Sequence, residues 1–509
     1  MNPLVWLHYR LVGSTNALIF VGIFALLVIG GAGISYRMAP AAQAGQVSSV
    51  WLAIITVGQA LFLGIAMPAA VRKAVLRDFQ TGMIESHRLS PLSGFTLISG
   101  YLMGAPVQIW MLYGMSLLFG TLFSAHYGYS LGVTTTVPAW YFLQACLLVL
   151  TFMITTLVLL IALGTSGKAN IIGVIAMISV FGGWVVVGVV PGLALLIGLM
   201  SADAMYYSVT KGQVRNAETV LIAAIVQAAF GTLYFMAAAR KVRVPERAMF
   251  SVTLGTILAV LSGATLAAGF QLAPGSSTLF ADWKTPPEIQ VILSAGVLLL
   301  ICYVPLISAA VDAALADRVR SFGEPINASL RRFLSFMPIV LAMIALVALI
   351  NMHDGGIHSA NPLDEYSPNS IRFFRVMTVV AIGLSFWTDY QLLYATAVIG
   401  RKPFVTVLLS VVILKVAPIL LDVPIFIMAQ EQGNRNALFS TGYFSGASPI
   451  GTVMLLLLPG GRPIGGLIVQ VLFALAATLL AFRARGSLAP IAAPLAQPIE
   501  RPPLNSPQK

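Results

Sequence analysis

The strongest constraint on this chain is a succession of apolar runs, each about twenty residues long, separated by short polar segments. A helix rises about 1.5 Å per residue, so such a run crosses the ~30 Å hydrocarbon core of a bilayer. Lipid offers no hydrogen bonds to the backbone, and a helix satisfies its own N–H and C=O groups. On that template the sequence predicts twelve spans, near residues 17–36, 49–71, 95–123, 138–163, 170–190, 218–239, 250–271, 289–313, 333–351, 373–399, 404–427 and 464–482. The expected fold is an all-α polytopic membrane protein. Pro106 falls inside the long third run and predicts a kink there. The first run is longer than the apolar core of a cleaved signal, about 7–15 residues, and reads as a retained span.

Composition supports a lipid solvent. Hydrophobic residues make up 58% of the chain and charged residues 9%, against about 25% charged in soluble proteins. The formal charge is +12, yet the basic residues form short clusters between apolar runs, which excludes a nucleic-acid-binding face. Cys146 and Cys302 lie inside apolar runs and imply neither a disulfide framework nor a thiolate metal site.

Basic residues set the orientation. With both termini cytoplasmic, the cytoplasmic segments hold 20 of the 29 Lys and Arg residues, as the positive-inside bias requires. Residues 438–459 are apolar enough to span but carry Gly442, Gly446, Pro449 and Gly451, which weaken a straight helix. They read as a re-entrant element, with a counterpart at 191–211. Each expected half, 17–240 and 241–486, has a basic loop after its second span, 72–93 and 316–333, and a tight turn before its fifth. That order predicts two six-span halves related by an internal repeat. Residues 1–16 carry Leu4, Leu7 and Leu11 at helical spacing, with Trp6 and Tyr9, and predict an interfacial amphipathic helix. The tail 487–509 is rich in Pro and Ala without apolar period and predicts a disordered cytoplasmic extension.

The richest polar stretch begins Arg72-Lys73-Ala74-Val75-Leu76-Arg77-Asp78 and continues through Gly82 and Glu85 to Ser90-Pro91-Leu92-Ser93. Ser90 or Ser93 can cap the helix that follows, and Pro91 suits a helix start. The expected path is a short polar helix along the membrane, a break at Gly82 and re-entry at the Ser-Pro corner. Orientation alone needs only the arginines and Lys73. It does not account for Asp78, Glu85, or the Gly and Ser-Pro positions.

An acidic residue, three residues, Gly, two residues, Glu and then Ser-Pro-Leu-Ser resembles the ABC-2 type permease family, the membrane subunits of ATP-binding-cassette exporters. The opening Asn2-Pro3-Leu4 is similar to the amphipathic entry helix of that family. The resemblance implies that 72–93 is a coupling segment docking on a cytoplasmic ABC ATPase subunit. Asp78, Gly82, Glu85, Ser90 and Pro91 stand at the matching positions. It further implies export through the inner membrane of a bacterial cell. The family unit has six spans, so twelve resemble a doubled form. The second loop has Gly323-Glu324-Pro325 but lacks the Ser-Pro-Leu-Ser corner, so its docking role stays open.

No ATPase is encoded within the chain. The nearest approach to a phosphate-binding loop, Gly164-Thr165-Ser166-Gly167-Lys168-Ala169, has Ala162 where the first Gly belongs and Ala169 where Ser or Thr belongs. ATP would have to be bound by a partner, and no cofactor is expected. Asp389 and Lys415 fall inside expected spans ten and eleven, at similar heights above the turn at 400–403. They read as an ion pair, either structural or lining an ion-coupled path. Gln59, Gln108, Gln144, Gln227 and Gln470 also fall in spans and read as interhelical hydrogen-bonding groups or, alternatively, as polar lining of a pathway. His353, Asp354 and His358 share an outer loop without metal-site spacing, and no serine-hydrolase elbow is present.

Overall fold

The computed structural model describes residues 14–40, 43–164, 217–244, 248–272, 287–320, 330–335, 368–399 and 464–486. Among them there are helices and no strands. In chain order the helices are α1 (Ser14–Met38), α2 (Ala44–Leu61), α3 (Met67–Gln80), α4 (Met83–Leu89), α5 (Gly94–Gly104) and α6 (Val107–Leu131). They continue with α7 (Thr136–Gly164), α8 (Ala217–Arg243), α9 (Val252–Leu272), α10 (Pro287–Arg320), α11 (Pro368–Ile399) and α12 (Ile464–Gly486).

Among the described residues, six helices are long and apolar enough to cross a membrane. Large apolar side chains on their outer faces, among them Leu26, Leu27, Leu118, Leu122 and Leu479, are exposed, as a lipid solvent requires and water does not favour. The chain is an integral membrane protein. Six such spans are described, not twelve: the expected spans near 250–271, 289–313 and 373–399 are helical but are not among the six. The expected spans near 170–190 and 404–427, nearly all of 333–351, both re-entrant elements, the 487–509 tail and nearly all of the 1–16 helix lie outside the described residues.

Two expected boundaries change. The second run does not stop at residue 71. It continues as one rod from Ala44 to Gln80, because Val71, Ala74 and Val75 present an apolar stripe that stays buried beyond the apolar run. Within this rod Phe62–Ala66 forms a π-helical turn. Pro68 has no N–H for the ordinary i→i−4 bond, and the Met67 N–H reaches Phe62 instead. The third run is not merely kinked at Pro106. It is broken into α5 and α6, with Pro106 standing between them.

Residues up to Ser308 belong to a first compact unit. Among the described residues one core joins α3, α5, α7, α8 and α9 through Val75, Leu97, Tyr101, Leu159, Phe230 and Leu258. A second cluster joins α1, α2, α6 and α7 through Val28, Leu52, Phe123 and Trp140. The second unit contains Ala309–Arg320 of α10, residues 330–335, α11 and α12. There α11 packs along α12, and the Trp387 indole N–H donates to Thr478 Oγ1 at 3.0 Å. The boundary expected at 240/241 falls inside the first unit.

Candidate functional site

The polar segment 72–93 is a folded corner. On α3, residues 71, 74, 75 and 78 share one face by helical spacing. Three are apolar and the fourth is Asp78, so the stripe that buries the helix carries a carboxylate inward. Asp78 is 1% exposed. A buried carboxylate needs hydrogen-bond donors or positive charge. The Tyr101 hydroxyl of α5 donates to Asp78 Oδ2 at 2.6 Å. His87 Nε2 lies 3.5 Å from the same oxygen, and Arg77 Nε lies 3.6 Å from Oδ1. The His87 ring meets Tyr101 edge-on at 6.4 Å. One carboxylate therefore ties α3, α4 and α5 together.

The expected break at Gly82 is present, with a different arrangement around it. The polar helix before it is the continuation of α3, and the short helix is α4, which follows. Gly82 adopts φ 72°, ψ 3°, left-handed backbone that a side chain disfavours. Ile84 is buried and pins α4 to the core. Glu85 points outward and pairs with Arg88. Ser90 is extended, as the residue before a proline favours, and its hydroxyl donates to the His87 carbonyl at 2.6 Å. Ser93, not Ser90, caps the next helix by accepting from the Thr96 N–H at 3.1 Å. Pro91 is exposed two residues before that cap.

The corner is also locked to α8. Arg88 Nε donates to the Val242 carbonyl at 3.0 Å. In return, Arg243 Nη1 donates to the carbonyls of Arg88 at 3.0 Å and Ser90 at 3.2 Å. The last carbonyls of a helix have no partner within it. Here each of two helix ends receives the other's arginine, which also suits the negative end of the helix dipole. Gly94 permits the approach: a Cβ there would collide with the Ala239 carbonyl.

What remains outward is narrow. Leu89 is 89% exposed and Phe95 is 56% exposed, with Glu85 and Ser86 beside Leu89 on α4. This is an apolar tip next to an acid, on a support held by buried bonds. Of the five coupling positions, Glu85 and Pro91 face outward, Asp78 is internal, Gly82 makes the turn, and Ser90 holds the end of α4.

Asp389 lies on α11 and is 2% exposed. Lys415 lies outside the described residues, so the expected pair is not placed. Gln59, Gln144, Gln227 and Gln470 are buried. Gln144 Nε2 donates to Gln59 Oε1 at 2.8 Å, and Gln59 Nε2 donates to Ser116 Oγ at 2.9 Å. That chain joins α2, α6 and α7, as interhelical bonding groups do in membranes. Among the described residues no cluster of three His, Cys, Asp or Glu side chains could hold a metal. Sequence reading missed Tyr101, His87 and Arg243. Tyr101 alone carried a local signal, as a hydroxyl within an apolar run seeking a partner.

No family model, curated protein or solved structure matches the chain.

Proposed function

We propose that this chain is the membrane-spanning subunit of an ATP-driven exporter, and that a separate cytoplasmic ABC ATPase subunit docks on the tip of α4. In this reading the chain is a doubled ABC-2 type permease with both termini in the cytoplasm of a bacterial cell and its spans in the inner membrane. The observation that supports it is the build of the 77–94 corner. A solvated loop needs no buried carboxylate and no reciprocal arginine caps. A docking element needs both, because a push on a floppy loop is lost as loop motion. The exposed Leu89 beside Glu85 and Ser86 is a knob for an apolar notch on the partner.

The test is capture of partners from native membranes by the solubilised chain, with Glu85→Arg and Leu89→Glu beside the wild type. Wild type recovers a nucleotide-binding ATPase, and each variant loses at least tenfold of it, about 1.4 kcal/mol of docking free energy. Equal recovery by all three moves the docking surface elsewhere. No ATPase with wild type turns the reading to a secondary transporter using Asp389 and Lys415. The burial of Asp389 within α11 is the observation that keeps this second reading in view.

A further inference from the structure

The corner at Asp78 has a counterpart in the second unit. Near the end of α3 the chain reads Ala74-Val75-Leu76-Arg77-Asp78, and near the end of α10 it reads Ala313-Ala314-Leu315-Ala316-Asp317. Both stretches close a long helix, and each precedes a basic loop containing a glycine, Gly82 or Gly323. Ala74, Val75, Ala313 and Ala314 are all buried. Asp317 is 2% exposed, and like Asp78 it accepts a hydrogen bond from a tyrosine hydroxyl on another helix, here Tyr394 of α11. Beyond the second loop the chain returns to the same helix. The Phe333 ring packs edge-on against Trp387 at 5.1 Å and lies 6.0 Å from Tyr390. So α11 is gripped from both sides of that loop, at Tyr394 before it and at Trp387 and Tyr390 after it.

We propose that Asp317 is the second unit's equivalent of Asp78, and that the chain carries two clasped arms delivering movement to different helices. The first clasp is Asp78–Tyr101, and it hands displacement of α3 to α5. The second is Asp317–Tyr394, and it hands displacement of α10 to α11. The helix gripped in the second unit also carries Asp389, five residues from Tyr394, or about 7.5 Å along the axis. Movement of the second arm therefore reaches the buried Asp389 carboxylate directly, whereas the first arm acts on the segment broken from α6 at Pro106. The two halves share a device and differ in what it drives. Asp78 and Asp317 are positioning residues in this scheme, and neither touches a substrate.

The functional part of this inference rests on the ATPase reading, and the test separates the two. The full chain in lipid nanodiscs is followed by hydrogen–deuterium exchange, wild type beside Tyr101→Phe and Tyr394→Phe. Tyr394→Phe should quicken exchange about tenfold in residues 309–320 and 388–399 together, as loss of one buried hydrogen bond does in a locally opening segment. Tyr101→Phe should do so in 71–80 and 97–104. A change confined to α11, with 309–320 unaltered, overturns the second clasp. The same proteins are then assayed for stimulation of a captured ATPase. Both variants should keep the partner, since the α4 tip is untouched, and each should lower stimulation severalfold. Full stimulation by Tyr394→Phe overturns the positioning role of Asp317. If wild type captures no ATPase, the exporter reading fails and the exchange data alone judge the clasps.

Discussion

Asp78 is a carboxylate that the apolar stripe of its own helix forces inward, and its neighbours decide what that costs. A buried acceptor left without its donor loses its hydration without replacement. Tyr101→Phe removes only the hydroxyl that donates to Asp78 and leaves the ring in its packing. We expect thermal unfolding in detergent to show a loss of about 1.5–3 kcal/mol, the range for one hydrogen bond to a charged group. A loss below a few tenths would mean that His87 and Arg77 already satisfy the carboxylate. Part of this was legible in the sequence. The density of charge singled out Asp78, Gly82 and Glu85, and Ser-Pro-Leu-Ser located a helix start. The spacing 71, 74, 75, 78 already put Asp78 on the buried face, but its setting in a polar helix expected to lie along the membrane gave it a docking place at the surface. Burial here is decided by α5 and α8 closing over α3, which no local pattern records.

At the scale of the element, α4 raises the question of how seven residues stay helical. An isolated helix so short is unstable in water. Its order comes from outside: Ile84 in the core, the Gly82 turn at one end, and Arg243 on the last carbonyls at the other. Arg243→Ala should therefore release α4 while leaving α3 intact. Limited proteolysis should then cut within 83–90 at least severalfold faster than in wild type, with residues 67–80 still resistant. Equal cutting rates would show that Ile84 suffices. The arginine exchange was invisible beforehand, because Arg88 and Arg243 stand about 155 positions apart and each reads locally as a positive-inside residue. The break between α5 and α6 was half visible. Pro106 marked it, but a kink and a full interruption give the same single-residue signal.

At the scale of the molecule, apolar run length located the long described helices, and the bilayer sets one dimension for the six that are long and apolar enough to cross it. It placed their polar ends less well, because α3, α8 and α10 continue as helices past the apolar run into charged residues. Orientation rests on the distribution of Lys and Arg and is open to direct measurement. Leu89 and Tyr129 stand at opposite ends of the stretch formed by α5 and α6, 89% and 88% exposed. Helix α6 alone, at 25 residues, is about 37 Å long, enough to cross the hydrocarbon core. The native Cys146 and Cys302 are buried, so an introduced thiol is the one a reagent reaches first. In sealed cells, Tyr129→Cys should react with a membrane-impermeant maleimide, and Leu89→Cys only after the membrane is opened. Inside-out vesicles should reverse the pattern. The outcome bears on more than topology. A cytoplasmic ATPase can reach α4 only if Leu89 faces the cytoplasm. Labelling of Leu89→Cys in intact cells would thus remove the exporter reading together with the orientation. The clasps at Asp78 and Asp317 would survive as structural ties with no ATPase to push them.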